Sequence, residues 1–346
     1  MTRITIKDIA KALNVSTSTV SKALSDSYEI SDKTKRMIVT YAKKMGYIPS
    51  KTAQNLRMGK SNTIGVIVSD VSNTFFSQVL QSIQLSLEVK GIYTIIMQSG
   101  FDEDTERGCI QSMMNKEVDG LLISPVKSDS NIDLLQKFQK SHPIIFFDRI
   151  KSSLKAPKIG IDNEKAGYKA TKHLLRKAYK NIVIILGKGL GISQSRLNGY
   201  KKALKEYRRP ATERDIAYIT LGNLQLMDQE IAQFITNKIN ESPKIDALVC
   251  GTENISTRTI GVIQKMGIKI PEEIAIVGFA NTPLASFFNP GLTTIVQPTE
   301  RLGQISVEKI LKLLKQSPPY TKDSEQIILD TELIVRESSQ KNHLVK

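Results

Sequence analysis

Apolar positions along the chain change their period twice, and the changes divide it into three parts. In the first 47 residues they recur at helical spacing. Thr5 can cap a helix in which Ile6, Ile9, Ala10 and Leu13 follow an i, i+3, i+4, i+7 pattern, and Asp8 stands where it completes a capping box. Asn14 and Val15 make a tight turn. Ser16 then caps a second helix with Val20, Ala23 and Leu24 on its inner side. After the polar residues 25–29, Ser31 caps a third, with Ile38, Tyr41, Ala42 and Met45 inward and Gly46 just past its end. Two short helices joined by a turn and closed by a third make a helix-turn-helix arrangement.

The next stretch, IPSKTAQNLRMGKSN, is polar and bracketed by Pro49 and Gly59. It reads as a linker that can form a short helix capped by Ser50, marginal alone in water and ordered only by a partner. From Thr63 short apolar runs alternate with amphipathic helical stretches: IGVIV, YTIIM, GLLIS and IIFF, and then again IVIIL, IAYI, ALVC, IAIVGF and TTIV, closing with an extended IILDTELIV. That alternation predicts parallel α/β structure, and its repetition predicts two lobes in succession with a cleft between them. Open parallel sheets bind ligands at the carboxyl ends of their strands.

Composition narrows the class. A chain of 346 residues with 40% hydrophobic and 24% charged residues reads as a soluble protein of two or three domains. Its apolar runs are strand-sized, and the N-terminus meets Lys7 and Asp8 before any continuous apolar stretch, so neither a membrane span nor a secretion signal is expected and the location expected is cytoplasmic. Cys109 and Cys250 stand far apart in segments that read as buried, a pattern for packing rather than for a disulfide or zinc. The formal charge is +15, and residues 1–60 hold twelve Lys or Arg against four Asp or Glu, leaving +7 for the other 286 residues. A basic lobe at one end suits a polyanion partner bound by counterion release. In that context the hydroxyl-rich NVSTSTVSKAL reads as a helix with an outward polar face rather than as a loop or a modification cluster.

TIKDIAKALNVSTSTVSKAL and the following SDKTKRMIVTYAKKMGYIPSKTAQNLRMGKSNTIGVIVSDVSNTFF resemble the start of a LacI/GalR-family transcription regulator. VDGLLISP, FFDR, IGIDNEKAG, SRLNGYKKAL, GIKIPEEIAIVGF and LTTIVQP keep family-like order and spacing to residue 337. The resemblance implies an all-α helix-turn-helix head, a hinge helix, and a two-lobed α/β core with parallel sheets, like a periplasmic sugar-binding protein. It places the head at 1–48, the hinge at 49–62, one lobe at 63–161 plus 291–322, and the other at 162–290 plus 323–340. The implied partners are double-stranded DNA bearing a near-palindromic operator, a second copy of the chain, and a small-molecule effector. No cofactor and no metal are implied.

The same resemblance carries roles to residues. Thr17, Ser18 and Lys22 fall where base edges are touched in the major groove, Thr19 and Ser21 nearer the phosphates, and Thr5 and Ser16 belong to the same DNA-binding set. A hydroxyl donates or accepts, a threonine methyl meets a thymine methyl, and a lysine reaches guanine acceptors or phosphate. Leu56 matches the family's hinge leucine, an apolar wedge for the minor groove, with Ser50, Ala53 and Asn55 along the same groove. In the core the implied effector residues are Asn73, Phe76, Ser124, Arg149, Asp162, Arg196, Glu253 and Gln297, a set of amides, charges and an aromatic face that suits a carbohydrate. Two departures bear on the ligand. The family's Asn-Asp pair after the eighth strand reads Thr252-Glu253, and its GFDD or GFDN reads GFAN with Ala280 in place of an acid, which leaves a modified, phosphorylated or larger ligand open.

Catalysis is not expected. LGKGLGIS lacks the dinucleotide fingerprint, no GKS/T loop follows a strand, His142, His173 and His343 lack ligand spacing, and no serine sits in a nucleophile elbow. The reading is a repressor whose operator affinity is set by an effector, expected to be a carbohydrate, with a purine-type corepressor and a solute-binding protein without DNA function as the alternatives.

Overall fold

The computed structural model describes residues 4–47, 61–321 and 323–340. Among them no helix is long and apolar enough to cross a membrane. The hinge positions Ser50, Ala53, Asn55 and Leu56 lie outside the described residues. The chain forms two compact units, Met1–Ser61 and Asn62–Lys346.

The first unit holds α1 (Ile6–Ala12), α2 (Thr17–Leu24) and α3 (Asp32–Lys44). Side-chain oxygens start each helix by occupying N–H groups that have no intrahelical partner. Thr5 and Asp8 close a reciprocal box, with Thr5 N–H donating to Asp8 Oδ2 at 2.9 Å and Asp8 N–H to Thr5 Oγ1 at 3.3 Å. Ser16 Oγ accepts from Thr19 N–H at 3.0 Å and Ser31 Oγ from Thr34 N–H at 3.4 Å. Asn14 takes the left-handed conformation, φ +51, and Val15 N–H bonds Ala10 O at 3.0 Å, so the turn into α2 is tight. Ile9, Ala10, Val20, Ala23, Ile38 and Ala42 form the core. Met45, expected inward, is exposed because it is the C-cap of α3, where the chain leaves the helix.

The second unit contains two six-stranded sheets, of order β11-β5-β4-β3-β1-β2 and β12-β10-β9-β8-β6-β7. The strands are β1 (Thr63–Val68), β2 (Tyr93–Gln98), β3 (Gly120–Ile123), β4 (Ile144–Phe147), β5 (Lys158–Ile161), β6 (Ile182–Gly187), β7 (Ile216–Ile219), β8 (Ala247–Cys250), β9 (Ala275–Phe279), β10 (Thr293–Val296), β11 (Gln326–Leu329) and β12 (Glu332–Ile334). All pairs are parallel except β10 with β12. Helices α4 (Thr74–Glu88), α5 (Glu103–Asn115), α6 (Ile132–Gln139) and α11 (Thr299–Leu313) pack on the first sheet. Helices α7 (Asn163–Arg176), α8 (Gly191–Glu206), α9 (Leu224–Asn240) and α10 (Glu253–Lys265) pack on the second. The inner strands of each sheet are therefore buried on both faces, which is why they read as unbroken apolar runs.

Lobe membership departs from the sequence reading at two segments. Residues 291–322 were expected whole in the first lobe, but β10 pairs with β9 in the second sheet and only α11 packs against the first. The closing extended stretch divides: β11 pairs with β5 in the first sheet and β12 with β10 in the second. The period of a strand records which face is buried but not which sheet it joins. β5, hidden in KIGI, was not expected as a strand at all.

One close approach positions the site. A Cβ at Gly199 of α8 would lie 1.9 Å from Glu164 O, and one at Gly167 of α7 would lie 2.3 Å from Arg196 O. The two backbones touch, and only glycine permits it.

Candidate functional site

The outward face of α2 carries Thr17 and Ser18, both exposed, with Thr19, Ser21 and Lys22 half-buried. The hydroxyls are partly satisfied among themselves: Ser16 Oγ lies 2.8 Å from Ser18 Oγ and 2.8 Å from Thr19 Oγ1. Lys22 pairs with Glu29 from the loop before α3, a partner the sequence reading missed. In that loop Tyr28 is 94% exposed, an unusual exposure for an aromatic side chain.

In the core, strand ends and helix starts build the second candidate site. Asn73 follows β1 and caps α4, its Oδ1 accepting from Phe75 N–H at 3.0 Å. The turn sets Phe75 and Phe76 edge to face with centroids 5.1 Å apart. Phe101 follows β2, and Asp148 and Arg149 follow β4, with Phe101 at φ +63 and Asp148 at φ +60. From the second lobe come Leu190, Ile192 and Arg196 around the start of α8, Thr252 and Glu253 at the start of α10, and Gln297 after β10. These residues line one cavity of about 50 Å3 between the lobes. Of the eight expected effector residues, it brings together Asn73, Phe76, Arg149, Arg196, Glu253 and Gln297.

Ser124 and Asp162 stand elsewhere. Ser124 is fully buried beneath the cavity and donates to Asp148 Oδ2 at 3.2 Å. Asp162 caps α7 by accepting from Lys165 N–H at 2.8 Å and lines an adjoining chamber of about 590 Å3. That chamber shares Asp148, Arg149 and Ile192 with the first and continues past Lys127, Ser128, Lys151 and Ser195. A larger polar groove of about 850 Å3 lies around Arg209, Glu213 and Pro243. It sits at the amino ends of β6 and β8, opposite the edge where such sheets bind ligands.

Two guanidiniums and two carboxylates dominate the electrostatics. Arg196 Nε donates to Asn163 Oδ1 at 2.8 Å, Nη1 to Gly251 O, and Nη2 to Gln297 Oε1 at 3.4 Å. Its guanidinium carbon stands 3.8 Å from the Phe279 ring centroid, a cation–π contact. Burial pushes its pKa down to about 10, which leaves it charged at neutral pH. Arg149 Nη1 donates to the carbonyls of Pro125 at 3.1 Å and Val126 at 3.3 Å. Its Nε stands 3.8 Å from Asp148 Oδ2 and makes no hydrogen bond. Burial raises the Asp148 carboxyl, opposed by Arg149, Arg196 and the Ser124 bond.

Glu253 also lies raised by burial, against the Thr74 hydroxyl, the Asn281 N–H at 3.1 Å and the backbone N–H groups of Phe75 and Thr74. Thr74 and Phe75 begin α4 in the first lobe, so this one carboxylate spans the cleft. Beside it Gln78 Nε2 donates to Asn281 O at 3.2 Å and Asn281 Nδ2 to Gln78 Oε1 at 3.3 Å, a reciprocal pair across the same cleft.

Sequence reasoning missed Asp148, Phe101, Ile192 and the buried Glu106 of α5. Glu106 accepts from Val126 N–H and Ser130 Oγ, each at 2.5 Å, and from Asn131 Nδ2 at 3.0 Å. It thereby holds the loop whose carbonyls grip Arg149. Asp148 was open to the strand-end logic that selected its neighbour Arg149, and so was Phe101.

Two family models together match most of the chain: bacterial regulatory proteins of the lacI family over residues 5–50, and periplasmic binding proteins and sugar binding domain of the LacI family over 61–335. The ribose operon repressor of Haemophilus influenzae is 30% identical over 340 residues, covering 96% of this chain and 98% of that protein. The HTH-type transcriptional repressor CytR of Escherichia coli K12 is 30% identical over 342 residues, covering 98% and 97%. Among solved structures, the lac repressor dimer bound to operator and the anti-inducer ONPF aligns with TM-score 0.82 at 22% identity, over 98% of this chain and 99% of that one. A helical head over the first match and a two-lobed core over the second agree with both halves of that assignment, and the chain belongs to the LacI family of transcriptional repressors, DNA-binding regulators controlled by small-molecule effectors.

Proposed function

We propose that this repressor works as a homodimer on a near-palindromic operator, with a carbohydrate in the interlobe cavity setting its affinity. The observation that carries the effector assignment is the cavity itself. It takes an aromatic face from Phe76 and hydrogen-bonding groups from both lobes, Asn73 and Arg149 on one side and Arg196, Glu253 and Gln297 on the other. A ligand held this way contacts both lobes at once, so its binding energy depends on their separation. The relative named for a ribose operon supports a carbohydrate. A volume of about 50 Å3 is room for one or two waters rather than a sugar ring, so entry and exit require the lobes to part.

In the same proposal Thr17, Ser18 and Lys22 read base edges, Thr19 and Ser21 approach phosphates, Thr5 and Ser16 hold the helix starts near the DNA, and Leu56 wedges the minor groove beside Ser50, Ala53 and Asn55. The exposed apolar side chains Leu85, Val89 and Tyr93 on the first lobe and Leu284 and Phe287 on the second support a dimer. Parting or closing the lobes of a dimer changes the spacing of its hinges and hence whether both fold in one groove.

Deleting residues 1–60 tests the division of labour. The truncated protein is expected to lose operator binding and keep ligand binding; retention of specific DNA binding would overturn the reading. A thermal-shift screen against sugars, sugar phosphates and purines tests the effector, because a ligand of the folded form raises its midpoint. A purine hit with silent sugars would replace the carbohydrate.

A further inference from the structure

α2 carries a single cation, Lys22, and the chain sets a carboxylate against it. Ser18 stands one turn earlier on the same face, so Lys22 belongs to the outward stripe rather than to the side that buries Val20 and Ala23. Glu29 reaches it from the loop before α3, the two side chains being 32% and 46% exposed. That loop is folded back on the end of α2. Ser27 N–H donates to Lys22 O at 3.0 Å, Asp26 N–H to Ala23 O at 3.2 Å, and Ser25 Oγ to Lys22 O at 3.2 Å. Glu29 N–H then donates to Ser27 Oγ at 3.4 Å, and Ile30 packs against the core of the head. Ordered backbone therefore delivers this carboxylate to this one ammonium.

Residues 1–60 hold four acids, and the other three have local duties. Asp8 closes the box of α1, Asp32 opens the first turn of α3, and Asp26 pairs with Lys35 at 2.8 Å. An exposed pair such as Lys22 with Glu29 adds little to stability. What it changes is how the ammonium behaves beside DNA. Lysine has three N–H donors and no acceptor. With one held by Glu29, two remain, enough for guanine O6 and N7. A phosphate meets an ammonium whose charge is already answered, and the carboxylate repels it. An ammonium neutralised in this way displaces no counterion from the duplex.

We propose that Glu29 is a specificity-determining residue of the head: it withholds Lys22 from the phosphates of any sequence and leaves it able to donate to a guanine edge. This rests on α2 being the reading helix.

Fluorescence-anisotropy titration of the full-length protein over a salt series tests this, with an operator fragment selected from a random pool and a random duplex of equal length. Glu29→Gln is expected to raise affinity for the random duplex on the order of tenfold per head at about 0.1 M salt, and to steepen its salt slope by about 0.9 per head. Operator affinity is expected to rise less, so that the ratio of the two falls. Asp32→Asn removes the same charge while leaving Lys22 paired, and is expected to keep that ratio unchanged. When Lys22→Met is combined with Glu29→Gln, the gain on random DNA is expected to vanish. A ratio unchanged in Glu29→Gln, or lowered as much by Asp32→Asn, overturns the role of Glu29. A gain that persists without Lys22 overturns its action through that ammonium. Both outcomes leave the reading helix standing when Lys22→Met alone weakens operator binding. Operator binding unaltered by Lys22→Met counts against α2 as the reader and against this proposal together.

Discussion

The head and the core present polar side chains in opposite ways. On α2 the hydroxyls of Thr17 and Ser18 stand in solvent over a small core of six buried residues. In the cleft, Arg149, Arg196, Asp148 and Glu253 are buried, and each is tied to neighbours. An exposed hydroxyl costs nothing to keep and is lost without penalty. A buried charge that loses its partner leaves the other uncompensated. Under the proposed roles, recognition in the head is thus separable from stability, whereas in the core the two are the same property.

Substitutions can break that contrast or sharpen it. The largest effect is expected at Gly199→Ala, where the new methyl would meet Glu164 O at 1.9 Å. A backbone atom cannot swing away, so urea denaturation should show a loss of about 4 kcal/mol or more, together with loss of effector binding as α8 is pushed off α7. Arg196→Gln should cost about 3 kcal/mol by the same measurement, since Asp148, Gln297 and the Gly251 carbonyl lose a buried charged partner. Core stability unchanged within about 0.5 kcal/mol would contradict the contrast.

Glu106→Gln is expected to cost about 1–3 kcal/mol and to alter the pH dependence. Burial holds the Glu106 carboxyl above its usual 4.5 in the folded protein. The folded form then keeps a proton that the unfolded chain has released. Its contribution is fully present below 4.5 and is lost as pH rises to the folded value. The melting midpoint of the parent should therefore fall more steeply than that of the glutamine variant as pH rises through that interval.

In the head, Ser16→Ala removes the cap of α2 and should cost about 1 kcal/mol, read by circular-dichroism melting. Ser18→Ala should change stability least, by under about 0.5 kcal/mol. Its affinity for an operator fragment selected from a random pool should nevertheless fall by about 1 kcal/mol or more, with random DNA unaffected. A stability loss as large as that of Ser16→Ala would make Ser18 a structural residue and erase the contrast.

Much of this was legible in the sequence because local rules and the fold agree. Thr5 with Asp8, Ser16 and Ser31 cap helices as their spacing indicates. Apart from β5, the strands of both lobes were visible as apolar runs. What escaped depends on relations between distant segments. Residues 326–334 look like one strand, yet they serve two sheets. Ser124 occupies a strand end like Asn73, but its hydroxyl turns toward Asp148, and so it lies beneath the cavity rather than in its wall. Glu106 sits in an acidic first turn that resembles a solvated helix start, and only the loop folding over it makes it a buried anchor.

The two outermost strands β11 and β12, separated by only Asp330 and Thr331, bear on how the protein is made. During synthesis the ribosome must pass residue 329 before the first sheet has its full set of strands, and residue 334 before the second has. The two sheets are completed within a few residues of each other, and each keeps the outer edge of β5 or β10 unpaired until these strands are made. The lobes mature together, although most of the first is synthesised well before the second.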